Sequence, residues 1–497
     1  MYLTLIFLLC ALILLYRYLK ENYKVFIKDG VNGPKPVYLI GNLGEFAGKD
    51  PGQTFCELTK RFGKVFGFYQ GLTPSIVVSD PDLIQKILVK NFFKFNGRPR
   101  ILPFLHGEEE GVLQNLNGTQ WKLMREATAS AFKNTNLSMM FPKLLSVADR
   151  FVDKLQQLDL KYPEGFDIQS LNERYALDSV TSTALGLETN AIADAEGCLM
   201  LQYMHAYHNS ASPENPASGL ARVYHWLEVL KILDIKHKRL AKECFDHLSQ
   251  HMELERRKLN TSARTKNVLQ HLLTYNATSK DHATNPARSP LTTTEILGLT
   301  SGMVGGGVGP TASALGFTLH CLAVHPRHQE KLWQEVQDVC GVEGVFTIDQ
   351  VRQIDYLDQV INESLRLYPV APGVARTCSE DCVVNGVQFR AGTEVRLMGI
   401  TQYMDPEIYP DPLTFKPERF SKDELRHPGS WLPFGGGPRM CVGIRLAQLQ
   451  LKVAIIKLLQ NFEISTSDLT QDPLPVALRP HLSPRNGVHI RLKRRVH

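Results

Sequence analysis

The first sixteen residues, Met1 to Tyr16, carry no charge and are almost wholly apolar; Arg17, Lys20, Lys24 and Lys28 follow them. Sixteen helical residues reach about 24 Å, against a hydrocarbon core of about 30 Å. Tyr16, Tyr18 and Leu19 can extend the span, and Arg17 and Lys20 can snorkel outward. A cleaved signal peptide would begin basic and end on small residues, and neither is present. The segment therefore reads as an uncleaved anchor. Its positive flank is C-terminal, which puts the remainder of the chain on the cytosolic side. Gly33-Pro34-Lys35-Pro36 then blocks helix continuation and reads as a stiff spacer.

Farther along, residues 64–80 alternate aromatic and β-branched runs around Gly71-Leu72-Thr73-Pro74 and predict a hairpin. Asp80-Pro81 opens a helix. From about 119 to 275 the spacing is helical, with short polar breaks, and 276–290 is a polar loop. A second helical block covers about 292–368 and starts at a capping box, Thr292 and Glu295. Residues 370–400 return to strand-like runs, 401–440 are rich in Pro and Gly, and a last helix covers about 441–461. The pattern predicts a mainly α chain with a minor β region and no composition break that divides it.

Composition narrows the class. In 497 residues, 43% are hydrophobic and 21% charged, which excludes long disorder. Lys and Arg exceed Asp and Glu by 56 to 50. That excess does not support a nucleic-acid binder, but it suits a patch for an acidic partner or an anionic membrane. Nine scattered Cys argue against a disulfide framework and fit a reducing compartment. None has zinc spacing.

One Cys stands out. Phe434-Gly-Gly-Gly-Pro-Arg439-Met-Cys441-Val-Gly443 is a glycine-rich loop that delivers Cys441 to the start of a helix. Glycines permit sharp turns and close approach to a flat ligand. Helix-start N–H groups and Arg439 are expected to lower the thiol pKa. A lone activated thiolate suits a nucleophile or an axial metal ligand, and a structural Cys beside a turn is the third reading. The nucleophile would need a His base, which sequence does not place.

The F-x-x-G-x-R-x-C-x-G pattern resembles the haem-thiolate loop of the cytochrome P-450 superfamily. Other segments resemble that family in the right order: Trp121-x-x-x-Arg125, Glu363-x-x-Arg366, Arg376, and Pro417-Glu418-Arg419-Phe420. In texture the chain is similar to the animal group of drug-metabolising enzymes and thromboxane synthase. The resemblance implies the cytochrome P-450 fold, here preceded by one N-terminal transmembrane helix. It divides the chain into an anchor (1–19), a basic, Pro/Gly-rich spacer (20–48) and a haem-thiolate domain (49–497). It implies haem b, with Cys441 as the axial iron ligand. Trp121, Arg125, Arg376, Phe434 and Arg439 are implied as cofactor-binding residues, the cations among them meeting the propionates. Glu363, Arg366 and Arg419 are implied as a structural ion network.

The same resemblance exposes a departure. The helix before Glu363 usually carries an acid followed by Thr beside the oxygen site, a pair that helps to deliver protons. Counted back from His325-Pro326, those positions are Gly309 and Pro310. Pro310 is expected to kink the helix. Thr311 is the candidate catalytic hydroxyl, reached through a one-residue bulge; water or a substrate hydroxyl is the alternative. The implied activity is insertion of one oxygen atom from O2 into a lipophilic molecule, with electrons from NADPH through a flavoprotein reductase, and cytochrome b5 is a candidate second partner. The alternatives are a peroxide isomerase or dehydratase needing neither O2 nor NADPH, and a non-catalytic haem-binding or sensing protein. The location implied is the endoplasmic reticulum membrane, single-pass and cytosol-facing. Segments 100–115, 203–220 and 370–376, with Phe104, Leu105, Val370 and Val374, are expected to line the substrate space. Lys122, Arg445 and Lys452 are expected on a basic reductase-docking face.

Overall fold

The computed structural model describes residues 2–46, 49–99, 111–212, 234–259, 267–278, 291–342 and 344–495. All of 100–110 and 213–220, with Phe104 and Leu105, and most of the polar loop therefore lie outside the described residues. The first helix, α1 (Tyr2–Asn22), has 21 residues and is about 31 Å long. It outruns the sixteen-residue apolar stretch because Arg17, Lys20 and Glu21 continue it. Ile6, Phe7, Leu9 and Leu14 on it are exposed, whereas Leu19 at its end is buried.

The segment read as a spacer is not free. Tyr23 and Phe26 pack on Tyr69, with ring centroids 5.0 and 4.8 Å apart. Tyr69 belongs to β1 (Val65–Gln70), which pairs antiparallel with β2 (Thr73–Val78) across the turn at Gly71-Leu72. The hairpin is the one expected, with Thr73-Pro74 inside the second strand rather than in the turn. β2 then pairs in parallel with a strand from more than 300 residues later, as described below.

The helical body follows: α2 (Gly118–Ala131), α3 (Asn134–Lys161), α4 (Gln169–Val180), α5 (Leu199–Ala211) and α6 (Thr293–Val324). Helix α6 has 32 residues and is capped by the expected box: Thr292 Oγ1 accepts from Glu295 N at 3.2 Å, and Glu295 Oε2 accepts from Thr292 N at 2.8 Å. It is apolar all round because it is buried all round. Its C-terminal half (Leu315, Phe317, Leu319, Leu322) packs in a core with α3, with α7 (Asp355–Leu367) and with the late helix named below. Its N-terminal half (Ile296, Leu299, Val304, Val308) packs with Trp121 and Met124 of α2, Leu177 of α4 and Tyr203 of α5. The two cores adjoin on this helix between Ala312 and Ala314.

After α7 the chain completes the sheet with β3 (Val374–Thr377) and β4 (Glu394–Leu397), in the order β1-β2-β4-β3. The late helix, α8 (Ile444–Asn461), starts three residues after Cys441, because the loop through Gly443 must turn before a helix can begin. A short hairpin, β5 (Val476–Leu478) and β6 (Leu482–Pro484), then returns toward α6. The mainly α fold with a minor β region is the one read from sequence.

Candidate active site

Cys441 stands on a loop closed by its own backbone. Cys441 N donates to Phe434 O at 2.8 Å, and Gly435 N to Leu432 O at 3.0 Å. Gly437 has φ +68°, and a Cβ there would sit 2.0 Å from Leu88 O, so only glycine fits. The loop lays Phe434, Gly435 and Cys441 along a cavity of about 360 Å3 whose far side is α6. Burial raises the Cys441 thiol pKa, while the Gly443 N–H, Arg125 and Arg98 pull it down. The lowering expected from sequence is thus outweighed by desolvation. The cations that act on the sulfur are Arg125 and Arg98 rather than Arg439.

Those cations belong to a cluster. Arg439 donates to Leu116 O and to Asn117 Oδ1, both at 3.0 Å, and lies 4.0 Å over the Trp121 ring. Arg98 Nη2 donates to Arg439 O at 2.9 Å. Arg376, 1% exposed, adjoins Arg98 and Arg439 without lining the cavity. Burial first, and mutual repulsion second, push Arg376 down to about 9 and Arg439 down to about 10. Arg98 and Arg125 are lowered in the same direction, again chiefly by burial. Among the described residues no carboxylate pairs with any of the four. Arg98 Nε, Arg376 Nε and Nη2, and Arg439 Nε are buried without partners. Buried guanidinium N–H groups without partners are costly, and an anion at the cluster would satisfy them.

Behind the loop, Arg366 makes a two-pronged pair with Glu363, at 2.8 and 2.9 Å, with both residues 0% exposed. Arg366 Nη1 also donates to Tyr403 O and Pro412 O, and Arg419 Nε lies 3.4 Å from Glu363. The ion network that the resemblance implies is present. It faces the core and the Pro/Gly-rich segment, not the cavity.

The opposite wall is α6. Both Pro310 and Thr311 line the cavity. The helix is α-helical throughout Thr293–Val324, so Thr311 reaches the cavity without the expected bulge. Sequence reasoning missed what surrounds Gly309. A Cβ there would stand 2.5 Å from His481 Cε1 and 2.7 Å from His208 Cε1 and Nε2. Two imidazoles fill the space that an acid side chain would need there. His481, in the turn between β5 and β6, lines the cavity, and its Nε2 lies 3.1 Å from Ser313 Oγ.

Val370 and Val374 line the cavity as expected, and Gly302, Met303 and Leu299 add apolar surface. Of the three docking cations, Lys122 and Arg445 are exposed, but Lys452 is not available. It is 9% exposed and bonded to Asp358 at 2.7 Å, because the helix turns that position inward. Arg98 was also missed; its only sequence signal is a cation before Pro99 at the end of an aromatic run.

The donor set fits haem. A thiol faces the cavity from a glycine-rich loop, and buried guanidinium groups beside it that each keep N–H groups without a partner suit a ligand with two carboxylates. Comparison with known proteins gives the same reading. The family model for cytochrome P-450 matches residues 31–487. Cytochrome P-450 3A11 of Mus musculus is 30% identical over 98% of this chain and 96% of its own length. Cytochrome P-450 3A13 of Mus musculus is 28% identical over 97% and 95%, and cytochrome P-450 3A28 of Bos taurus 29% over 98% and 95%. The chain belongs to the cytochrome P-450 family.

Proposed function

We propose that this protein is a membrane-anchored monooxygenase that inserts one oxygen atom of O2 into a lipophilic small molecule held between Cys441 and α6. The family comprises oxidoreductases that use haem b and draw electrons from NADPH through a reductase. Bound through a thiolate, that group supplies O–O bond cleavage. The balance is one C–H, one O2, two electrons and two protons giving one C–OH and one water.

The chain's own residues have separate tasks. Cys441 Sγ would ligate the iron. Arg98, Arg125, Arg376 and Arg439, with Trp121 under Arg439, would hold the carboxylates. Phe434 and the glycines beside it would bound the face toward Cys441. Leu299, Met303, Val370 and Val374 would hold an apolar substrate and exclude water. Thr311 offers a hydroxyl on the substrate side. The observation that carries this reading is the Cys441 thiol and the partnerless arginine N–H groups beside one apolar cavity.

The exposed apolar side chains of α1 support a single-pass anchor for residues 1–19, with the catalytic domain on the cytosolic face of the endoplasmic reticulum. Lys122 and Arg445 suit an acidic reductase face, and cytochrome b5 would use the same charge. Nothing in the charge distribution favours nucleic acid.

A second reading has its own observation: Gly309 and Pro310 replace the acid and alcohol, which favours a peroxide isomerase needing no reductase. A non-catalytic haem sensor is the third. Turnover with reductase, NADPH and O2, set against turnover with a lipid hydroperoxide alone, separates them. The proposal requires oxygenated product in the first arm. Product confined to the second arm supports the isomerase, and none in either supports the sensor.

A further inference from the structure

We propose that His481, backed by His208 and bonded to Ser313, is the group that passes protons into the cavity in place of the missing acid and alcohol. The inference rests on the monooxygenase reading above, in which each turnover consumes two protons at a site enclosed by apolar walls.

Three observations carry it. First, the two rings occupy the space of an acid side chain on α6: both crowd the position of a Gly309 Cβ, at 2.5 and 2.7 Å. Second, the rings touch edge to face, and His481 reaches the cavity. The ring centroids are 5.4 Å apart at 69°, His481 Nε2 lies 3.1 Å from Ser313 Oγ, and His481 itself lines the cavity near Pro310 and Thr311. Third, His208 Nε2 is buried with no partner among the described residues, which leaves a ring nitrogen free to exchange a proton. His481 is held by Ser313 and by the Gly309 backbone, so the unpartnered nitrogen of the pair is that of His208.

The pair also has a route outward. His205 and His208 are three residues apart on α5 and so share a face of that helix. His205 is exposed and its Nε2 lies 3.2 Å from Glu173 Oε2. The charged and titratable groups that act on the pair are Glu173, His205 and Arg479. Burial holds both rings neutral, His208 lowered to about 3 and His481 to about 4, so either ring is a strong proton donor once charged. For each proton that His481 gives to the cavity it takes one from His208. His208 takes one from the Glu173–His205 end, which is refilled by solvent. Both rings return to neutral, and one proton has moved inward.

Two measurements test this on the whole protein. In the reduced, carbon monoxide-bound form, with 15N-labelled histidine, exchange of the His481 ring N–H with solvent is followed by NMR. Exchange by relay predicts that His208→Gln slows it by roughly tenfold or more, with the carbon monoxide spectrum intact. With reductase and NADPH, His481→Gln should lower the product formed per NADPH by roughly tenfold or more, the remainder leaving as peroxide. Ser313→Ala should do so in part. If His481→Gln does not fold, His208→Gln, which lies outside the cavity wall, carries both measurements. Unchanged exchange and unchanged coupling in folded His208→Gln overturn the relay. Absence of product in the natural protein overturns the monooxygenase reading instead, and the N–H exchange still reports on the relay alone.

Discussion

The guanidinium of Arg439 lies 4.0 Å over the indole of Trp121. This contact ties the Cys441 loop to α2 across 318 residues of sequence, and hydrogen bonds to Leu116 O and Asn117 Oδ1 fix it from the same side. A stacked cation contributes about 0.5–2 kcal/mol, and emptying a buried Trp site costs about 3–5 kcal/mol. Trp121→Ala should therefore lower the melting temperature and speed haem loss. Trp121→Phe keeps a ring and should cost less than half as much. Equal effects from the two, by calorimetry and haem-transfer kinetics, would exclude the stacking as the cause.

Arg376 is buried among like charges without an acid partner, so its place makes sense only with an anion bound. Arg376→Leu removes a repelling cation and should leave the haem-free chain no less stable, since replacing buried charge by apolar groups is often neutral or stabilising by about 1–4 kcal/mol. The same change should accelerate haem release. Opposite signs in the two assays are the signature. A variant that destabilises the haem-free chain and retains haem normally would show that Arg376 is structural.

Glu363 accepts from Arg366 twice and lies beside Arg419, all in the interior. Glu363→Gln leaves a buried cation uncompensated, which costs roughly 3–5 kcal/mol. We expect little folded, haem-loaded protein. What remains should show an unaltered carbon monoxide band, because this network does not face the cavity. A shifted band with undiminished yield would contradict that division of roles.

His208 and His481 make stability depend on pH in one direction. Both are neutral in the folded chain down to about 3 and about 4, but an unfolded imidazole takes a proton at about 6.5. Below that pH the unfolded state binds protons that the folded state refuses. Stability is therefore lost as pH falls from 6.5 toward 4, with a limiting slope of about 1.4 kcal/mol per pH unit for each ring. Burial lowers His271, His320 and His328 in the same direction. Denaturant titrations between pH 7.5 and 5 should show the loss, and His208→Gln and His481→Gln should flatten it. An undiminished slope in both variants would remove these rings as its source.

What the sequence revealed was chemistry written in local spacing. The Cys441 loop, the Glu363–Arg366 pair and the Thr292–Glu295 box each depend on residues a few positions apart, and a helix or turn fixes their geometry wherever it occurs. His208, His481 and Arg98 were illegible for the opposite reason. His208 and His481 are 273 positions apart, and they meet only because the turn after β5 returns to α6. Their sole local trace was a glycine at 309, which looked like a loss and is the space they need. Lys452 was misread because nearness in sequence to Cys441 says nothing about which side of α8 faces Asp358. The thiol pKa of Cys441 was misjudged because a helix start is visible in sequence, whereas the desolvating protein around a sulfur that opens on a cavity is not.

On the reading proposed above, Cys441 ligates the iron of a haem held in this cavity. The most direct test is the difference spectrum of reduced protein with and without carbon monoxide, for the natural chain and for Cys441→Ala, Cys378→Ala and Cys382→Ala. Cys378 and Cys382 lie buried with their sulfurs 3.8 Å apart and do not line the cavity. The account predicts the red-shifted Soret band of thiolate ligation in the natural protein and in both control variants, and its loss in Cys441→Ala. The same band persisting in Cys441→Ala would contradict it.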